Sequence, residues 1–77
     1  MAVTVLIVDD HPSFRSSAQA LLEAEGFSVV GEAADGAGGL ASTRELCPDL
    51  VLLDVQLPDI DGFDVAARIT ADRTAPA

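Results

Sequence analysis

The chain contains no lysine, and four arginines face thirteen aspartates and glutamates, for a net charge of −9. A protein that grips a phosphate backbone needs clustered positive charge, so direct contact between this segment and nucleic acid is not expected, and cations or basic partners are favoured. A single cysteine, Cys47, excludes an internal disulfide. Flanked by Leu46 and Pro48, it is expected to be a small core side chain, because free cysteine is among the more buried residue types. Long hydrophobic spans are missing as well. Met1 to Val8 is apolar, but it has no basic flank and meets Asp9 and Asp10 too soon for a signal peptide or a membrane segment. A cytoplasmic protein with no membrane contact is therefore expected. No internal repeat or low-complexity linker is present. The 77 residues suffice for one domain of marginal size, and with 49% apolar residues a packed core is expected rather than disorder.

What is present centres on Leu50 to Gly62, LVLLDVQLPDIDG. Four apolar residues without polar alternation suit a strand buried on both faces, as in parallel sheets covered by helices, and place Asp54 at its carboxyl end. A charge at Leu52 is accordingly expected to abolish folding. Pro58 and Asp61-Gly62 then take the chain out of the sheet in a tight loop toward a helix near Phe63.

The remaining elements follow from pattern. Val3 to Val8 is a second buried strand ending on Asp9 and Asp10. Pro12 opens a helix whose apolar stripe is Phe14, Ala18, Leu21 and Leu22 and which stops at Gly26. Ser28 to Ala33, with an internal Gly31 and a charged Glu32, reads as an edge strand. The glycines of Asp35-Gly36 and Gly38-Gly39 read as a turn before a short helix from Leu40 to Cys47. Their spacing fits neither a dinucleotide fingerprint nor a P-loop, and no lysine follows. Asp61 is an expected N-cap with Asp64 in the first helical turn, and Phe63, Ala66, Ala67 and Ile69 are the expected apolar face. Thr70 to Ala77 reads as a tail. Asp59, Asp61 and Asp64 lack the offsets of an EF-hand loop and read as cap and turn residues.

Strand and helix alternate three times. Right-handed crossovers then give an α/β doubly wound parallel sheet in the order 2-1-3, with the first and third strands adjacent. Their carboxyl ends flank the point where the winding reverses, so Asp9, Asp10 and Asp54 converge on one crevice. Two like charges about 4 Å apart at an effective dielectric near 20 repel by about 4 kcal/mol, or about three pKa units. Either some of the carboxyls protonate near neutral pH or a divalent cation sits among them, and hard oxygen donors with few protein contacts suit Mg²⁺. For the acidic pair the competing reading is helix capping and turn formation. His11, next in sequence, reads as a helix-entry residue rather than a catalytic one.

The motifs Val8-Asp9-Asp10-His11-Pro12, Gly31-Glu32-Ala33-Ala34-Asp35-Gly36 and Pro48-Asp49-Leu50-Val51-Leu52-Leu53-Asp54, continuing through Pro58 and Asp61-Gly62, resemble the receiver domain of two-component response regulators. The His-Pro pair and the GEAADG stretch look most like the LuxR/NarL-type branch, whose members carry a helix-turn-helix output domain. The resemblance is colinear from Val3 to about Arg73. It implies a flavodoxin-like fold, a phosphoryl group received on Asp54 from a sensor histidine kinase, and self-catalysed transfer at most rather than turnover as an enzyme. It further implies Mg²⁺ held by Asp10, Asp54 and the backbone carbonyl of Gln56, with Asp9 acting mostly through a bound water. Receivers of this family continue with two more strands that bear a Ser or Thr and a Lys contacting the phosphoryl group. Residues 1–77 match only the first three strand-helix units, with no output domain and no residue able to take the Lys role. An interaction module that is never phosphorylated is the alternative. A phosphohydrolase of the dehalogenase-like kind would need an acid where Gln56 stands. The third strand, lacking a neighbour, is expected to offer an edge for self-association.

Overall fold

The computed structural model of the chain describes residues 2–74. The elements run β1 (Thr4–Val8), α1 (Pro12–Ala24), β2 (Ser28–Ala33), α2 (Gly36–Leu46), β3 (Leu50–Leu53) and α3 (Gly62–Thr74). The sheet has the order β2-β1-β3, and both pairings are parallel. β1 lies at the centre, so Val5, Leu6, Ile7 and Val8 are almost wholly buried and its unbroken apolar run has a physical reason. β3 pairs with it from Val5 opposite Leu50 to Val8 opposite Leu53, which brings their carboxyl ends level. On the other side the register slips between Val5 and Leu6, leaving Val30 as an extra residue in edge strand β2.

The core has two parts. On one face Val5, Ile7 and Ala18 form a cluster with Leu22, Phe27 and Val29 packed against it. On the other, Leu40, Val65 and Ile69 pack with Val51, Leu53, Leu57 and Ile60 under α2 and α3.

Several expectations require correction. β3 occupies Leu50–Leu53 as read, but it is covered on one face only, since Leu50 and Leu52 are 50% and 40% exposed. Their β1 partners, Val5 and Ile7, lie on the α1 face, and α1 packs on β2 and β1. The α1 stripe is correspondingly narrower than expected: Ala18 and Leu22 pack inward, whereas Phe14 and Leu21 are exposed.

Helix α2 starts at Gly36, four residues before the expected Leu40. Its amino end is capped twice. Asp35 Oδ1 accepts the Gly38 amide at 2.7 Å. The Asp59 carboxylate accepts the Gly36 and Ala37 amides at 2.7 and 3.0 Å. Caps worth about 1 kcal/mol each offset the roughly 1 kcal/mol that a glycine costs in a helix. Gly39 also lets α2 lie close on the sheet, because a Cβ there would stand 2.9 Å from Val8 Cγ1.

Cys47 is exposed rather than buried, in the left-handed region with φ 47° and ψ 55°. Pro48 disfavours right-handed helical geometry in the residue before it, so the chain turns out of α2 through a left-handed C-cap that directs the thiol outward. In α3 the inward face is Val65 and Ile69, while Phe63 is 72% exposed and Ala66 and Ala67 are exposed as well. Both sets have helical spacing, and packing against Leu40 selects the former. The helix continues to Thr74, beyond the expected start of a tail at Thr70; residues 75–77 of that tail lie outside the described residues.

Candidate functional site

Asp9 and Asp54 each follow the last residue of a parallel strand, and each keeps the ladder going by one bond. The Asp9 amide donates to the Ala33 carbonyl at 3.0 Å and the Asp54 amide to the Val8 carbonyl at 2.9 Å. The two acids are thus fixed side by side at the carboxyl edge of the sheet, where the strand order reverses. Each then starts a short side-chain-to-backbone turn. Asp9 Oδ1 accepts the His11 amide at 2.8 Å and Asp54 Oδ1 accepts the Gln56 amide at 3.1 Å. Such turns leave the second carboxylate oxygen for other use, and among the described residues no hydrogen bond engages Oδ2 of Asp9 or Asp54. Asp9 is buried and Asp10 exposed.

Ligand atoms of Asp9, Asp10, His11 and Asp54 all lie within 4.8 Å of one another. An ion with oxygen ligands at about 2.0–2.6 Å spans donors on opposite sides separated by about 4–5 Å, so one cation fits within this group. The donors are carboxylates with one imidazole, and hard oxygens suit Mg²⁺, which keeps several waters of its own. Part of the competing reading holds, since Asp9 forms a turn through the His11 amide, while neither acid of the pair caps α1. The N-cap position of α1 belongs to His11, whose side chain makes no cap bond.

Sequence reasoning missed the imidazole of His11. It turns back from the helix start, with Nδ1 2.8 Å from Asp9 Oδ1 and 3.1 Å from Asp10 Oδ1. The hydrogen bond to Asp9 and the negative charges of Asp10 and Asp9 hold its pKa above 6.5. When protonated, it is a counter-cation for carboxylates that would otherwise repel one another. The signal in the sequence was its position directly after two acids.

The loop after Asp54 is held from both sides. Gln56 bridges Asp61, and the Gly62 amide donates to the Val55 carbonyl at 3.0 Å. Any Cβ at Gly62 would overlap the Asp54 carbonyl oxygen, so the Asp-Gly pair serves close packing on the Asp54 backbone and not only a turn. Asp61 caps α3 as expected, accepting the Phe63 amide at 2.7 Å. Asp59 caps α2 instead, so it ties the loop carrying Gln56 to a second helix. Its bonds to the Gly36 and Ala37 amides lower its pKa below 3.8. Beside Asp54 an open cavity of about 360 Å³ is lined by Asp9, Phe14, Leu52, Leu53, Asp54 and Val55, an apolar wall next to the acids.

This fold and acid cluster are those of a signalling receiver. The chain belongs to the response regulator receiver domain family, whose model matches residues 5–77. It is 49% identical over 65 residues to the transcription regulator BvgA of Bordetella pertussis, an alignment covering 84% of this chain and 31% of that protein. It is also 44% identical to the DNA-binding response regulator MtrA of Mycolicibacterium smegmatis, over 99% of this chain and 33% of that one. Among solved structures, a LuxR-family two-component response regulator from Aurantimonas sp. superposes with a TM-score of 0.87 at 33% identity, covering 96% of this chain and 53% of that chain. A CheY-like receiver domain from Methanospirillum hungatei gives 0.87 at 32% identity, with 95% and 58% covered. The chain therefore spans about a third of the length of these curated relatives and just over half of these solved chains. It is a receiver module of two-component signalling with the expected flavodoxin-like 2-1-3 sheet. No helix among the described residues is long and apolar enough to cross a membrane.

Proposed function

We propose that Asp54 is the phosphoacceptor of this receiver and that Asp10, Asp54 and the Gln56 carbonyl hold Mg²⁺, with Asp9 acting mostly through a bound water. The observation that carries this reading is the placement of Asp54, distant in sequence, with a ligand atom within 4.8 Å of those of the adjacent Asp9 and Asp10 at the sheet's carboxyl edge. In the transfer, an Asp54 carboxylate oxygen attacks phosphorus in line and forms an acyl phosphate. The P–N bond of a kinase phosphohistidine breaks, and the imidazole leaves with the electron pair and takes up a proton. A bound Mg²⁺ would supply charge neutralisation between the carboxylate and the phosphoryl oxygens. The chain's own part is positioning: the Gln56 amide on Asp54 Oδ1 and the ladder bond of Asp54 to Val8 fix the nucleophile.

The partner is a sensor histidine kinase and the setting cytoplasmic. The segment makes no direct contact with nucleic acid, and the free β3 edge offers a place for self-association. Residues 1–77 correspond to the amino-terminal part of a receiver, and this segment holds the acceptor without a Lys of its own. Intact mass after incubation with a small phosphodonor and Mg²⁺ tests the assignment. One added phosphate, lost without Mg²⁺ and absent in Asp54→Asn, is expected. A phosphate that survives in Asp54→Asn moves the site elsewhere, and none under any condition returns the chain to the class of interaction modules.

A further inference from the structure

Arg15 does not belong to the acid cluster, yet it touches the backbone that carries it. Its Nη1 donates to the Asp9 carbonyl oxygen at 2.6 Å, and its Nε donates to Glu32 Oε1 at 3.0 Å. Its own amide donates to the His11 carbonyl at 3.1 Å, in the first turn of α1. The Arg15 side chain is only 18% exposed, so this fork is packed rather than waving in solvent. We propose that Arg15, held by Glu32 of the edge strand, is a positioning residue that sets the peptide plane between Asp9 and Asp10 and so aims the Asp10 carboxylate into the metal site. The inference rests on the metal-site reading above.

The peptide bond is planar, so the Asp9 carbonyl and the Asp10 amide turn together. Asp9 is held at its amide by Ala33, at its carboxylate by His11 and at its carbonyl by Arg15. Asp10 has much less. Among the described residues its side chain meets only His11 Nδ1, at 3.1 Å. The orientation of its peptide plane is therefore what aims it. Electrostatics sharpens the case, because a guanidinium beside a divalent cation site lowers cation affinity by simple repulsion. Glu32 offsets that charge while fixing the guanidinium by a charge-assisted bond. Charge and positioning therefore make opposite predictions for removal of Arg15.

The test is Mg²⁺ titration by calorimetry on wild type, Arg15→Gln, Glu32→Gln and the double variant, each first shown to be folded by circular dichroism. Loss of outer partners of a metal site commonly costs 10–100-fold in affinity, and weakening by about 10-fold is expected for Arg15→Gln. Glu32→Gln weakens binding less, and adds nothing once Arg15 is gone. Unchanged or tighter binding in Arg15→Gln overturns the proposal, as does an undiminished Glu32 effect in the double variant. Should Arg15→Gln not fold, Glu32→Gln, a change at an exposed side chain, decides alone: wild-type affinity there overturns it. The metal-free amide resonance of Asp10 separates this inference from the reading on which it rests. If wild type binds no Mg²⁺ the metal site fails, while a shift of the Asp10 resonance in Arg15→Gln still supports the clamp and an unmoved one refutes it.

Discussion

The two faces of the sheet are covered unequally, and the difference separates what β3 demands from what its neighbours supply. Under α2 and α3, Val51 and Leu53 pack against Leu40, Val65 and Ile69, and Val65 is wholly buried. On the opposite face one helix, α1, packs on β1 and β2, leaving Leu50 and Leu52 half-exposed at the β3 edge. One helix is about 10 Å across and strands lie about 4.8 Å apart, so a single helix covers two strands and not three. Asp54 sits at the end of this half-covered strand, and the exposed Leu52 helps to line the open cavity beside it.

The largest effect that could break this comparison is a buried charge. Val65→Asp should unfold the domain, since an unpaired carboxylate there costs several kcal/mol against a total stability of about 5–15 kcal/mol. Leu52→Asp, which the sequence alone marks as fatal, should leave a folded, cooperative protein, because a 40% exposed side chain can turn its charge to water. Thermal melts of the pair decide; equal loss of the transition in both would show the faces to be equivalent. Truncation gives a finer version. Leu40→Ala should cost about 2–5 kcal/mol in urea unfolding, whereas Leu50→Ala, already half in water, should cost under about 1 kcal/mol.

These residues also show where the sequence was readable. Strand order was, because right-handed crossovers put β1 between its neighbours and β2 carries Gly31 and Glu32, as edge strands do; the register slip at Val30 was not. Convergence of the three aspartates followed from that topology. Burial was not readable, because an apolar run such as Leu50 to Leu53 states what a strand requires and not which helices reach it. The early start of α2 was hidden for a different reason: one of its capping carboxylates, Asp59, arrives from a distant loop, and glycine spacing carries no trace of it. The inward turn of His11 depends on the backbone path after Asp9, which pattern does not reveal.

A metal effect sets the site apart from the uncovered face beside it. Millimolar Mg²⁺ should raise the melting temperature, because an ion that binds only the folded state shifts the unfolding equilibrium. A 100-fold excess over Kd is worth about 2.7 kcal/mol. Asp10→Ala should abolish the shift, whereas Leu50→Ala should retain it in full. An Mg²⁺ shift equal in Asp10→Ala and wild type would remove the site from the acid cluster.

The smallest expected effect is a pair of opposed pH slopes from two exposed groups at either end of the site's framework. Asp59 has its pKa lowered in the folded protein by the Gly36 and Ala37 amides. Its contribution is therefore present above the unfolded value of 3.8 and is lost as pH falls through the lower folded value. His11 runs the other way. The hydrogen bond to Asp9 and the charges of Asp10 and Asp9, which outweigh desolvation, raise its pKa, so its contribution is complete below 6.5 and is lost as pH rises through the folded value. Metal-free protein should thus be most stable between these limits, with urea midpoints falling on both sides. Asp59→Asn should flatten only the acid limb and His11→Asn only the limb above 6.5. Both groups lie at the surface, so salt should shrink both slopes. If His11→Asn keeps the full decline above pH 6.5, the imidazole is not the counter-cation of the acid cluster, and the carboxylates must be relieved by another group.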